Sequence, residues 1–317
     1  MASTQEIKRR IKAVTSTSQI TRAMEMVSAT KMRRSQEVAL LSRPFAVEAL
    51  RILAELSHRT SYLPEIMQVR EVKRRAIVVV ASDRGLAGSF NSNVFRSFER
   101  RLEGELKATS DKGQGIFIAV GRKAEEFLNR KNFTIKASFK NFGDHIEAKE
   151  TKPLTELLVK GFLKEEWDQV TVVFTHFRTT LRQDVVVRDV LPITRDEVVR
   201  TVMEIIPEYG RFAELKNGGN SLNNRNGFEE TFEYLIEPDT KTVLDKLASE
   251  LVEIALYDLI LEANASEHSA RMVAMKNASE NAEELKGDLT LHYNKVRQAG
   301  ITREVAEIVG GVEALRN

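Results

Sequence analysis

Residues 82–91, SDRGLAGSFN, are the part of this chain whose residue types could do chemistry. They follow an apolar stretch and precede a helical one, which is where a doubly wound fold holds its ligands. Gly85 and Gly88 would let backbone N–H groups approach a phosphate. No GK[ST] follows, and the GxGxxG spacing is missing. Two readings remain open: a tight turn that caps a helix, which is the plainer one, and an anion- or nucleotide-binding turn of a doubly wound enzyme. Asp83, Asp144, Asp184 and Asp189 fall near expected strand ends, where paired carboxylates could do acid–base work. Sequence alone brings no two of them together, so ordinary loop carboxylates are the plainer reading. His58, His145, His176, His268 and His292 lack HExxH or HxH spacing, and there is no cysteine. Thiolate nucleophiles, disulfides, zinc ribbons and iron–sulfur clusters are therefore excluded. No catalytic residue, cofactor or metal is expected.

The elements that would carry such groups fall into three parts: 1–58, 70–237 and 238–317. In the first, Ser3 and Glu6 have capping-box spacing. Ile7, Ile11 and Val14, then Ile20, Met24 and Val27, then Val38, Leu41 and Phe45 recur at helical steps. Pro44 is expected to kink this helix without ending it, because the period continues through Leu53 and Leu56. In the last part, Pro238 and Asp239 give a helix start. A three–four alternation then runs from Leu244, Leu247, Leu251, Ile254, Asp258 and Leu261 through Ala265, His268, Met272, Met275, Ser279 and Ala282 to Leu285, Leu289, His292, Val296 and Ala299. About eight heptads of this kind imply a coiled coil, and a helix of that length would reach on the order of 110 Å. A bundle broken at Gly287 or Gly300 is the alternative. His268 and His292 read as packed on the helical seam.

Residues 1–34 carry eight basic and two acidic side chains, and residues 239–317 carry nine basic and fourteen acidic. Opposite charge on two long helices favours their pairing. Ala265, Ser269, Ala278 and Ala282 would let them approach closely. The expected fold is therefore α/β: a long antiparallel coiled coil of the N- and C-terminal helices plus a Rossmann-like α/β domain with a mostly parallel sheet. In that domain, strands are expected at 75–82, 115–120, 169–177 and 184–191, and helices at 91–106, 122–130 and 152–164. Residues 217–227 read as a polar loop and 230–236 as a strand.

A net charge of +2 and the absence of stacking aromatics beside the basic N-terminal helix argue against nucleic acid as the main partner. The basic face reads either as solvated or as meeting an acidic protein surface. The longest apolar run is six residues, Ala76–Ala81, and a membrane span needs ~20, so any membrane association is expected through partners. The N-terminus lacks the apolar core of a secretory signal, and its early Glu6 is unlike a transit peptide, which favours a bacterial source.

Three segments resemble the gamma subunit of F-type ATP synthases: IKRRIKAVTSTSQITRAMEMVSATKMRR at 7–34; SDRGLAGSFN at 82–91; and ASEHSARMVAMKNASENA at 265–282 with YNKVRQAGITREVAEIVGGVEAL at 293–315. Ala87 and Ser89 depart from the family's common SDRGLCGGFN, so no thiol chemistry is expected at that turn. Nor is the cysteine-bearing regulatory insertion of chloroplast relatives present. The 205–227 region is longer and more polar than is usual. The resemblance implies a non-catalytic rotor subunit, one copy per complex, whose terminal helices turn inside a ring of three alpha and three beta subunits. Its α/β domain would sit beside the epsilon subunit and on the membrane-embedded c ring. The resemblance places Arg297, Gln298 and Thr302 at the catch loops of beta, and Met24 where the stalk passes beta's acidic lever. It places Tyr234 and Glu237 at the foot that meets the c ring, and 308–315 at a tip turning in an apolar sleeve.

Overall fold

The computed structural model describes residues 4–60, 62–108, 115–142, 146–193 and 236–314. Two units are distinguished: Met1–Ser28 with Arg271–Asn317, and Ala29–Ala270. Helix α1 spans Thr4–Arg59 and is continuous through Pro44. The last helix, α5, spans Thr240–Ala314 and is continuous through Gly287 and Gly300, so the broken-bundle alternative is set aside. Asp239 caps α5: its carboxylate accepts the Thr242 N–H at 2.9 Å and the Thr242 hydroxyl at 2.8 Å.

The second unit is built on a five-stranded sheet ordered β3-β2-β1-β4-β5. The strands are β1 (Arg75–Val80), β2 (Gly115–Val120), β3 (Ile135–Phe139), β4 (Gln169–Phe177) and β5 (Gln183–Leu191). The first four are parallel, and β5 returns antiparallel to β4. RAIVVV and QVTVVFTHF are nearly continuous apolar runs because β1 and β4 are covered on both faces. Successive residues point to opposite faces, so Ile77 and Val79 serve one core and Ala76, Val78 and Val80 the other. On the first face lie α2 (Phe90–Ala108) and α3 (Arg122–Arg130), through Val94, Phe98, Phe127 and Leu128. On the second lie α4 (Ala148–Leu163) and the near parts of both terminal helices, through Leu154, Leu158, Leu53, Leu56, Leu251 and Leu256. The terminal helices thus complete the core of the sheet.

Two features differ from expectation. Helix α4 starts four residues before Lys152, because Glu150 reaches back to accept the Glu147 N–H at 2.8 Å, closing a capping box. Strand β3 was not expected: IKASF alternates on a sheet edge and carries too few apolar residues to stand out. The expected loop at 217–227 and the strand at 230–236 lie outside the described residues, apart from Ile236. Ser3 also lies outside them.

Asp168 pins the entry to β1. Its Oδ2 accepts the N–H groups of Lys73 and Arg74 at 3.0 and 2.8 Å, and Oδ1 lies 3.2 Å from Arg70 Nε. Arg70 stacks over Phe162 and donates to the carbonyls of Phe162 and Trp167. Burial alone would raise the Asp168 pKa, but the two N–H bonds and the charges of Arg70 and Arg74 outweigh it and lower the pKa. Asp168→Asn is expected to cost about 2–3 kcal/mol at neutral pH, read by urea unfolding. A lowered folded-state pKa gives stability that is complete above the unfolded value of about 3.9 and is lost as pH falls through the folded one. The gap between native chain and variant should therefore close in acid. A gap that is constant from pH 7 to pH 3 would contradict this.

Candidate partner-binding surfaces

The carboxyl ends of β1, β2 and β3 are tied together by the chain itself. Asp83 Oδ1 accepts the N–H of Arg122, the first residue of α3, and Oδ2 accepts that of Asn141, both at 2.8 Å. Arg122 Nε and Nη2 donate back to the Asp83 carbonyl at 3.0 and 2.8 Å. The base of the turn is closed by Asn91, whose Oδ1 accepts the Ser82 N–H and whose Nδ2 donates to Ser82 Oγ. The Asp83 carboxylate thus occupies the N-terminus of α3, where the helix would otherwise offer its N–H groups to an anion. The geometry favours the capping turn. Asp83→Ala is expected to cost about 1–2 kcal/mol, as loss of a helix cap does. Added phosphate should not raise the melting temperature of the native chain; a rise would favour the anion-binding reading.

The other carboxylates are engaged separately. Arg178 Nε donates to Asp184 at 2.9 Å, and Thr171 Oγ1 donates to Asp189 at 2.6 Å. Asp144 and His145 lie outside the described residues. His268 is buried, as expected for the seam, whereas His292 is exposed.

Packing of the terminal helices decides which faces remain free. In the first unit, Ser279 Oγ lies 3.4 Å from the Ser18 carbonyl. In the second, the Tyr62 hydroxyl, just past α1, donates to Asp245 at 2.8 Å, near the start of α5. Burial and this hydrogen bond push the Tyr62 phenol up to about 12. The helices pair antiparallel. The buried positions of α1 are mostly small: Ser18, Thr21 and Ser28 in the first unit, Ser35, Ala39 and Ala49 in the second. Thr21 and Ser35 donate to the carbonyls four residues back, so their hydroxyls stay satisfied without water. Ala265, Ser269 and Ala282 on α5 are likewise buried, as expected. Of the larger residues of α1, Ile7, Leu53 and Leu56 are buried as expected, but four others are a correction. Ile20, Val27, Leu41 and Phe45, expected to face inward, are more than half exposed, Leu41 at 79%. A close helix–helix approach favours small side chains at these positions, so the four bulky ones point away.

On α5 the seam closes over as far as Ala282 and then opens. If Ser18 lies beside Ser279, the first turn of α1 reaches only to about residue 293 of α5. Every residue from Arg297 to Val312 is exposed. Ile301, Val305, Ile308, Val309 and Val312 fall within about 100° of arc, a single apolar stripe. Gly300, Gly310 and Gly311 each cost such a helix about 1 kcal/mol relative to alanine, and a lone helix of this length is marginal in water. The stripe is an apolar surface that the described residues leave uncovered.

The expected site residues can be placed against it. Arg297, Gln298 and Thr302 are exposed and border the stripe at its N-terminal end, and the Thr302 hydroxyl donates to the Gln298 carbonyl at 2.9 Å. Met24 is half-buried on α1, within one turn of the exposed Ile20 and Val27. Glu237 is exposed three residues before α5 and belongs to the other unit. Tyr234 lies outside the described residues. Sequence reasoning missed the outward apolar face of α1. The signal was present as a second heptad of small residues, Ser28, Ser35 and Ala39, out of phase with the bulky one.

Comparison with known proteins identifies the family to which the chain is similar. A family model described as ATP synthase matches residues 3–315. The chain is 40% identical to the ATP synthase gamma chain of Roseiflexus sp. (strain RS-1), over 99% of both chains. It is 37% identical to that of Trichlorobacter lovleyi, over the whole of both. In fold it is similar to a chain of the Euglena gracilis mitochondrial ATP synthase (OSCP/F1/c-ring, rotational state 3), with TM-score 0.62, 17% identity, and coverage of 98% of this chain and 94% of that one. It is also similar to a chain of the Tetrahymena thermophila central stalk and c-ring, with TM-score 0.53, 23% identity, and coverage of 82% and 99%.

Proposed function

The chain belongs to the ATP synthase gamma-chain family, a central-stalk subunit, and from that premise we propose that it is a non-catalytic rotor coupling ion-driven turning of a membrane c ring to ATP synthesis and hydrolysis in a head of alpha and beta subunits. The observation that carries this reading is the exposed apolar stripe of α5 from Ile301 to Val312, on a helix that has outrun its partner. Inside a ring of subunits that stripe is covered without needing a fixed, specific mate, which suits a surface that turns.

Several assignments follow. Arg297 and Gln298 offer charge and hydrogen bonds to loops of beta, and Thr302 lies beside them. Met24 and the exposed Arg22 meet an acidic part of beta. Glu237 and Tyr234 belong to the foot on the c ring, and the sheet unit meets the epsilon subunit. One copy serves each complex, and no nucleic acid is involved. The chain works at the cytoplasmic face of a bacterial membrane, which it touches only through partners. No helix among the described residues is long and apolar enough to cross a membrane. The division into 1–58, 70–237 and 238–317 is retained as the functional one: two stalk helices flanking one globular part. Catalysis by this chain is disfavoured because the 82–91 turn serves as a structural tie, Asp83 capping α3 and holding the Asn141 N–H.

The test is co-assembly. The purified chain, mixed with alpha and beta subunits from the same source, is expected to co-elute at one copy per three alpha–beta pairs and to raise their ATPase activity. Alone it should hydrolyse no ATP. Separate elution with unchanged activity would overturn the proposal.

A further inference from the structure

Hydrophobic contact is non-directional, so an apolar face alone lets a helix roll or slide on a sheet. Where α5 crosses the β4–β5 hairpin, the contact changes character. Glu262, Ser266 and Ser269 are spaced four and three residues apart and so share one face of the helix. Glu262 Oε2 lies 2.8 Å from His176 Nδ1, and a carboxylate there holds the ring proton on Nδ1. Ser266 Oγ donates to the Thr175 carbonyl at 3.2 Å. Ser269 Oγ donates to the Thr180 carbonyl at 2.7 Å and accepts from Gln183 Nε2 at 3.2 Å. Gln183 Nε2 also donates to the Thr180 carbonyl at 2.9 Å, closing the hairpin onto the same point. Ser266 and Ser269 are fully buried, and His176 is nearly so. Directional bonds in a dry contact fix register, because each is costly to leave unmade when the partners shift.

We infer that the Glu262–Ser266–Ser269 stripe, seated on the β4–β5 hairpin, is a torsional clamp that fixes α5 against rolling on the sheet and carries torque between them. The inference rests on the rotor reading. These are positioning residues: they act through the helix they hold.

The variant Ser266→Ala/Ser269→Ala removes three of the bonds while leaving the apolar core intact. Val190→Ala, on β5 and buried in that core, serves as a control that loses apolar contact but none of these bonds. Each is assembled into the whole complex, in sealed vesicles, and ions pumped are measured against ATP hydrolysed. The clamp variant is expected to lose about threefold to tenfold in pumping per ATP while hydrolysis persists, and the control to keep its ratio. In the isolated chain, amides of 175–183 should exchange about tenfold faster in the clamp variant, as local opening easier by one decade requires. Should the double variant not fold, Gln183→Ala, at a half-buried position, gives the same comparison in milder form. An unchanged ratio, or an equal fall in both variants, in complexes that assemble normally overturns the clamp alone. Failure of the native chain to assemble removes the rotor reading, and the clamp with it.

Discussion

Gly121→Ala is expected to abolish stable folding of the sheet unit. Gly121 ends β2 at φ +89°, ψ 145°, a region that side chains rarely enter. That conformation costs a non-glycine residue about 1–3 kcal/mol by itself. A Cβ there would lie 1.9 Å from the Ala81 carbonyl oxygen. That oxygen is backbone in the β1–α2 turn and has little freedom to move, because Ala81 N–H is bonded to the Val120 carbonyl at 2.9 Å and Gly121 N–H to that of Phe139 at 2.8 Å. Relief would require separating β1 from β2, the middle of the sheet. The combined loss should exceed about 4 kcal/mol, the range reserved for named steric or core failures. Gly85→Ala is the control: nothing lies within 4 Å of its Cβ position, so its stability should change by no more than about 0.5 kcal/mol. Urea unfolding followed by the far-ultraviolet signal separates the two. A cooperative Gly121→Ala chain of near-native stability would show that the crossing of Gly121 over Ala81 is not tight.

Removal of residues 297–317 should do the reverse, sparing the fold and damaging the function. Every described residue removed as far as Val312 is exposed, so the cores around the sheet keep all their members. The melting temperature should move by less than about 2 °C, roughly the effect of 1 kcal/mol in a chain of this size. In the complex, the lost stripe contains Ile301, Val305, Ile308, Val309 and Val312, each worth about 1.5–3 kcal/mol when a partner covers it. Only part of that surplus shows in assembly, since ordering costs oppose it. Coupled ion pumping is therefore expected to fall by about tenfold, the equivalent of ~1.4 kcal/mol of retained contact. Pumping at the native rate would mean that the stripe is not a working surface.

Sequence made the two helices and the sheet legible wherever one pattern dominated. The apolar run of β1, the Asp239 start of α5 and the small seam from Ala265 to Ala282 all stand where expected. It misled where a helix carries two patterns at once. On α1 the bulky residues Ile20, Val27 and Leu41 follow the same period as a core face, and periodicity cannot say which of two faces meets the partner helix. Burial of Ser28 and Ser35 resolves it, because small residues are favoured between close helices. Strand β3 was invisible because an edge strand needs few apolar residues. The role of Asp83 was hidden for another reason: its partners, Arg122 and Asn141, are 39 and 58 residues away in the chain. The clamp is similar, with Ser266 and Ser269 distant in sequence from the hairpin carbonyls they hold.

The most direct test of the rotor role is to watch the chain turn. It has no cysteine, so Ser138→Cys, exposed on edge strand β3, introduces a unique thiol for an optical probe. The labelled chain is assembled with alpha and beta subunits held to a surface, and ATP is added. The expected result is stepwise rotation of the probe in one direction, at a rate that follows ATP hydrolysis and stops when ATP is withdrawn. A probe that stays fixed, or only jitters without direction, while the same complexes hydrolyse ATP would contradict the account.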